Sequence, residues 1–173
     1  MSDPILQNPS VPAAMTHTEC VAFAARYLSK RCKVVLPEFY THNEELPDVI
    51  GFSNGGIRGV VWHKGVFSRL IECKVSRSDF LADRKKSFRA FPAKGMGDFR
   101  YYCCPKGLIS KDEVPEGWGL LYIYPDGQVR EVKGSTIHER SIESELYLLY
   151  YYARRANFAG VHKTILGYRG YDA

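Results

Sequence analysis

The clearest alternation of apolar and polar residues lies in the segment 70–75, which has the sequence LIECKV. An apolar run bounded by polar residues predicts a β-strand. Side chains alternate between the two faces of a strand, so Glu72 and Lys74 share one face while Ile71 and Cys73 share the other. The apolar face can pack against a helix. A carboxylate and an ammonium on the opposite face are costly to bury, which indicates a functional role.

Similar patterns predict the other elements. Helices are predicted over residues 16 to about 32, from 76 onward, and over 141 to about 157. Strands are predicted over residues 33–36, 47–53, 57–62, 66–75, 98–104, 120–124 and 128–133. Thr16 and Glu19 have the spacing of a capping box at the first helix, and Ser76 and Asp79 have a similar spacing at the second. This order predicts an α/β fold with a mixed central β-sheet flanked by helices.

The length of 173 residues predicts one folded domain, over residues 15–157. Residues 1–14 contain three prolines among small polar residues and are expected to form a flexible N-terminal arm, and residues 158–173 a C-terminal tail. The five cysteines form no CxxC pair, and no signal peptide precedes them, so we expect reduced thiols and a cytoplasmic location. No apolar stretch approaches the ~20 residues of a membrane helix, and no membrane association is expected.

Positive charge is concentrated after the predicted central strand. The chain has a net charge of +5, and residues 76–100 contain seven basic and three acidic residues, a local charge of +4. A basic patch of this kind suits a polyanionic substrate, although a solvated helix face would have a similar composition. The candidate nucleic-acid-binding residues are Arg77, Arg84, Lys85, Lys86, Arg89 and Lys94.

Asp48 begins the predicted strand 47–53. If this strand pairs with the strand that carries Glu72, the two acids converge at one end of the sheet. Mg²⁺ prefers oxygen ligands and usually binds one or two carboxylates, water and substrate phosphate. The ion would polarise a phosphate and lower the pKa of a bound water, and Lys74 could orient that water or stabilise developing charge. The alternative is a surface Glu/Lys pair on an edge strand.

The pattern of Pro47-Asp48 followed by Glu72-Cys73-Lys74 resembles the PD-(D/E)XK nuclease superfamily. The sequence SRSDFLADRK at residues 76–85 resembles the MmcB-like DNA-repair branch of that superfamily, as does GWGLL at residues 117–121. The resemblance covers about residues 16–124. It implies a restriction-endonuclease-like core.

The resemblance also implies roles for individual residues. Asp48 and Glu72 would bind Mg²⁺, for which Mn²⁺ could substitute, and the Cys73 carbonyl would be a further ligand. Lys74 would position the water. A glutamate on the first helix often joins the metal site in this superfamily, so Glu19 would be an accessory ligand. Capping the helix is the alternative role for Glu19.

We therefore expect a metal-dependent endonuclease that hydrolyses DNA phosphodiester bonds in DNA repair, recombination or phage/host defence. The alternative is a catalytically silent nuclease-fold module that binds nucleic acid or a protein partner. A third interpretation is a metal-free interaction protein that uses the tyrosine-rich helix at residues 141–157. A homodimer and a repair or defence protein partner both stay open, as does the choice between DNA and RNA.

Overall fold

The computed structural model describes residues 15–37, 46–54, 65–83, 93 and 95–155. Three predicted segments lie outside the described residues: the N-terminal arm at residues 1–14, the strand at 57–62 and the tail at 158–173.

The described residues form three α-helices, six β-strands and a short 3-10 helix over Lys111–Glu113. The helices are α1 (His17–Ser29), α2 (Arg77–Asp83) and α3 (Ile142–Arg155). The strands are β1 (Val34–Pro37), β2 (Val49–Asn54), β3 (Val66–Cys73), β4 (Phe99–Pro105), β5 (Gly119–Ile123) and β6 (Val129–Lys133). Each lies within a few residues of its predicted range.

The six strands form one sheet in the order β1-β2-β3-β4-β5-β6. β3, β4 and β5 run parallel, whereas the β1–β2, β2–β3 and β5–β6 pairs are antiparallel. Parallel strands are usually buried on both faces, and most residues of β3, β4 and β5 are accordingly buried. The prediction of an α/β fold with a mixed central sheet is confirmed, and the architecture is consistent with a restriction-endonuclease-like core.

Helix α1 packs on one face of the sheet. Cys20, Ala24 and Leu28 follow one another at four-residue spacing and are fully buried in a core that includes Ile71 and Cys73 of β3. The predicted alternation along β3 is therefore confirmed on its apolar side. Because neighbouring residues of a strand point to opposite faces, residue 72 points away from α1.

The predicted capping box at the start of α1 is confirmed. The amide of Glu19 donates to Thr16 Oγ1 at 3.2 Å, and Glu19 Oε2 accepts from the Thr16 amide at 2.8 Å. These bonds satisfy amides that have no partner within the helix, and they fix where α1 begins.

The chain divides into two compact units, Met1–Arg140 and Ser141–Ala173. The first contains the sheet, and the second contains α3, in which Glu145 and Leu148 are buried. A single domain over residues 15–157 and a contact role for the tyrosine-rich helix stay predictions. None of the described helices combines the length and the apolar character that crossing a membrane requires.

The sheet leaves no room for a side chain at Gly119, the first residue of β5. A Cβ atom there would overlap the ring of Tyr101 and lie 2.8 Å from the backbone oxygen of Lys133. We expect Gly119→Ala to lower the free energy of unfolding by about 1–3 kcal/mol, because the neighbouring strands must move to accommodate it. Gly65→Ala is the matched control, since no described atom beyond its chain neighbours lies within 4 Å of its Cβ position. Equal urea midpoints for the two variants would contradict this packing.

Candidate active site

The pairing of β2 with β3 brings two predicted site residues together. Val49 is opposite Ile71 in the antiparallel register. One residue further along this pairing, Asp48 is therefore opposite Glu72. The Cys73 amide donates to Asp48 Oδ2 at 2.6 Å. This hydrogen bond joins the residue before β2 to the end of β3 and places both carboxylates at one end of the sheet.

The Asp48 carboxyl lies in an environment that disfavours its charge. Its side chain is 13% exposed, and burial raises its pKa to about 7, with the negative charge of Glu72 as the second cause. The hydrogen bond from Cys73 and the positive charges of His17 and Lys74 oppose this rise. An acid whose charge is disfavoured beside a second acid is suited to share a divalent cation with it.

Lys74 follows directly after β3 and is buried, with 4% exposure. Its Nζ lies 3.6 Å from Glu72 Oε2, 3.7 Å from Asp79 Oδ1 and 3.3 Å from Asp83 Oδ1. Burial on its own would lower the pKa of Lys74, but the charges of these carboxylates outweigh burial and raise it. The ammonium therefore stays charged at neutral pH, beside Glu72.

Two further residues, His17 and Asp83, contribute to this end of the sheet and were not predicted as site residues. His17, at the start of α1, has its Nε2 atom 3.4 Å from Asp48 Oδ1. Asp83, at the end of α2, contacts Lys74 and accepts a hydrogen bond from the Tyr102 hydroxyl at 2.7 Å. The spacing of Asp79 and Asp83, four residues apart on a helix that follows Lys74, was the one available sequence signal for Asp83.

Glu19 is placed as a helix cap. It is exposed, its described contacts are all with Thr16, and hydrogen bonds from the Thr16 backbone and hydroxyl lower its pKa. His17, two residues closer to the start of α1, is the described α1 residue that contacts Asp48. The contacts of Glu19 thus correspond to the capping alternative, and its role as an accessory metal ligand stays a prediction.

Of the predicted nucleic-acid-binding residues, Arg77 is the one that lies in the described part of the chain. It is exposed on α2 and forms a two-bond ion pair with Glu113, with Nη1 2.7 Å from Oε2. Phosphate would therefore compete with this carboxylate for Arg77. The other five residues lie outside the described ranges: Arg84, Lys85, Lys86, Arg89 and Lys94.

The donor set at this site suits a hard cation. The described residues contain no group of three or more His, Cys, Asp or Glu side chains arranged to hold a metal ion. Asp48 and Glu72 provide two carboxylates, which is a usual protein contribution to a Mg²⁺ site that keeps several waters. The Cys73 amide binds Asp48, and the Cys73 carbonyl as a third ligand stays a prediction.

The electrostatics of Asp48 lead to a testable pH dependence. The ordinary pKa of this carboxyl is 3.8 and its folded value is about 7, so between these pH values the folded protein binds more protons than the unfolded protein. Stability therefore falls as pH rises through this window. Asp48→Asn keeps an acceptor for the Cys73 amide but cannot ionise. In metal-free protein we expect it to raise the free energy of unfolding by about 1–4 kcal/mol at pH 8, and by much less near pH 4.

Urea unfolding in chelator at the two pH values measures this effect, with Asp112→Asn as an exposed control. Added Mn²⁺ should stabilise the wild type at pH 8 more than Asp48→Asn. An equal change for both substitutions at both pH values would contradict the raised pKa of Asp48.

Comparison with known proteins shows a fold and no family. No family model matches the chain, and no curated protein matches it. Among solved structures, the chain is similar to the SPO1766 protein of unknown function from Silicibacter pomeroyi, with a TM-score of 0.58 and 21% sequence identity. The match covers 91% of this chain and 97% of that protein. At this level of identity the likeness shows that the two proteins share a fold, and the function must be argued from the site.

Proposed function

We propose that the protein is a divalent-metal-dependent nuclease that hydrolyses DNA phosphodiester bonds. The observation that carries this proposal is the arrangement at the end of the β2–β3 pair. Asp48 and Glu72 are neighbours there, and the Lys74 ammonium lies 3.6 Å from Glu72 Oε2. The site thus combines two acids for a cation with one fixed positive charge.

Each residue has a role in this proposal. Asp48 and Glu72 would hold Mg²⁺, or Mn²⁺ in its place, with the Cys73 carbonyl as a further ligand. When bound, the ion would polarise the scissile phosphate and lower the pKa of a water molecule. Lys74 would donate a hydrogen bond to the attacking water or to a phosphate oxygen on which charge develops. Its ammonium can do this at neutral pH because the surrounding carboxylates keep it protonated.

The proposed substrate follows from charge and from the sequence resemblance. A net charge of +5, with basic residues concentrated after β3, favours a polyanion. DNA rather than RNA, and a context of repair, recombination or phage/host defence, come from the resemblance to the MmcB-like branch. A cytoplasmic location would fit this substrate.

A second candidate function is a catalytically silent module that binds nucleic acid or a protein partner. One observation favours it. The Lys74 ammonium has three donor hydrogens and lies within 3.7 Å of three carboxylates, so its hydrogen bonds can all be used inside the protein. In that case the buried charges would serve to hold the structure together.

Cleavage assays distinguish the two functions. Wild-type protein should cleave at least one of plasmid, single-stranded or branched DNA with Mg²⁺ or Mn²⁺, and chelator should abolish the cleavage. We expect Glu72→Gln and Lys74→Met to reduce the rate at least ~100-fold, because each removes a group that acts on the transition state. Glu116→Gln and Lys106→Met make the same chemical changes at exposed positions and should retain activity.

Cleavage that persists undiminished in Glu72→Gln and Lys74→Met would contradict the nuclease proposal. Absence of cleavage, together with salt-sensitive DNA binding that Glu72→Gln leaves unchanged, would favour the silent module.

A further inference from the structure

Two acids of α2 surround the Lys74 ammonium in addition to Glu72. Asp79 and Asp83 are four residues apart, so both lie on the same face of the helix. Their Oδ1 atoms are 3.7 Å and 3.3 Å from Lys74 Nζ. The shortest of the three described carboxylate contacts is therefore made by Asp83, which is not part of the Asp48, Glu72 and Lys74 pattern.

Asp83 is itself held in place from the sheet. It is 1% exposed, and its Oδ2 atom accepts from the Tyr102 hydroxyl at 2.7 Å. Tyr102 lies on β4 opposite Glu72 in the parallel register, so the two side chains are on the same face of the sheet. The Tyr102 ring is fully buried, stacked on Trp118 at 4.8 Å between centroids and perpendicular to Phe80 at 5.2 Å.

These contacts give the two oxygens of Asp83 different tasks. Oδ2 is oriented by a tyrosine whose buried ring packs on Trp118 and Phe80, and Oδ1 faces the ammonium of Lys74. A lysine side chain has four methylene groups that can rotate, and fixing them costs conformational entropy. A fixed carboxylate beside the ammonium restricts that freedom before the reaction, which lowers its entropic cost.

We propose that Asp83, oriented by Tyr102, is a positioning residue that holds the Lys74 ammonium beside Glu72. This inference rests on the proposed nuclease function for its effect on rate, but the placement of the ammonium can be measured without it. In this proposal Asp83 acts through Lys74, its contact at 3.3 Å, and requires no contact with substrate or metal.

Kinetics of two mild variants test the proposal. Asp83→Asn keeps the shape of the side chain and removes its charge, and Tyr102→Phe removes one hydroxyl and keeps the stacked ring. Per folded molecule, we expect Asp83→Asn to lower kcat by about 10- to 100-fold with KM for DNA within about twofold, and Tyr102→Phe to cause a smaller loss of kcat. The double variant should be no slower than Asp83→Asn, because the two residues act in series.

The matched controls are Asp112→Asn and Tyr124→Phe, for which wild-type kinetics are expected. A purely structural role for Asp83 would lower the melting temperature and the folded fraction while leaving kcat per folded molecule unchanged, and that result would overturn the proposal. If Asp83→Asn does not fold, the same comparison of kcat per folded molecule with melting temperature is made for Tyr102→Phe.

The placement itself is read from the NMR signal of the Lys74 ε-ammonium, assigned by its loss in Lys74→Arg. In the wild type this signal should be protected from exchange with water, and in Asp83→Asn and Tyr102→Phe it should shift and exchange faster. An unchanged signal in both variants overturns the positioning role, whether or not the protein cleaves DNA. The converse outcome is that the wild type cleaves no DNA while the two variants still show these spectral changes relative to it. That result would reject the nuclease function and retain the positioning of Lys74 by Asp83.

Discussion

Two opposite charges on one face of a buried strand are the constraint on which this site depends. Glu72 and Lys74 are 2% and 4% exposed, and neither charge can lie in such an environment without compensation. The elements around β3 supply it. Helix α2 begins three residues after Lys74 and provides two carboxylates, and β4 provides the tyrosine hydroxyl that orients one of them. Lys74 is thus the centre of a network that pairs its charge with Glu72, Asp79 and Asp83.

The same network accounts for why Asp48 differs from its neighbours. Glu72 has the ammonium within 3.6 Å, whereas the Cys73 amide and His17 are the described polar contacts of Asp48. Burial, followed by the negative charge of Glu72, raises the pKa of Asp48 to about 7. Of the two acids, Asp48 therefore has less positive charge close to it. A cation bound together with a substrate would supply positive charge beside Asp48.

Much of the fold could be predicted from the sequence because its signals are local. The alternation at residues 70–75 identified β3 and the faces of its side chains, and the Thr16–Glu19 spacing identified the start of α1. The meeting of Asp48 with Glu72 was predicted from the assumption that two strands pair, and the register between Val49 and Ile71 bears out that pairing. These inferences needed only periodicity, capping chemistry and the proximity of paired strands.

The remaining parts of the site depend on how elements pack, which periodicity does not encode. Whether His17 or Glu19 faces Asp48 depends on the rotation of α1 about its axis above the sheet, and both lie in its first turn. Arg77 was predicted to bind phosphate from its charge alone, yet its ion pair is with Glu113, 36 residues further along the chain. Asp83 and Tyr102 are 19 residues apart in the sequence, and their hydrogen bond likewise depends on how α2 lies against the sheet. Contacts of this kind exist only once the tertiary structure has formed.

The alternation along β3 also separates the structural role of the Cys73 side chain from that of its backbone amide. Cys73 turns its thiol into the apolar core beneath α1, while its backbone amide donates to Asp48 at the end of the sheet. The side chain of Cys73 is consequently constrained by core packing, whereas any residue with a backbone amide can make the bond to Asp48. A small apolar residue of similar volume at this position would therefore leave the hydrogen bond to Asp48 in place, and with it the arrangement of Glu72 and Lys74 on either side.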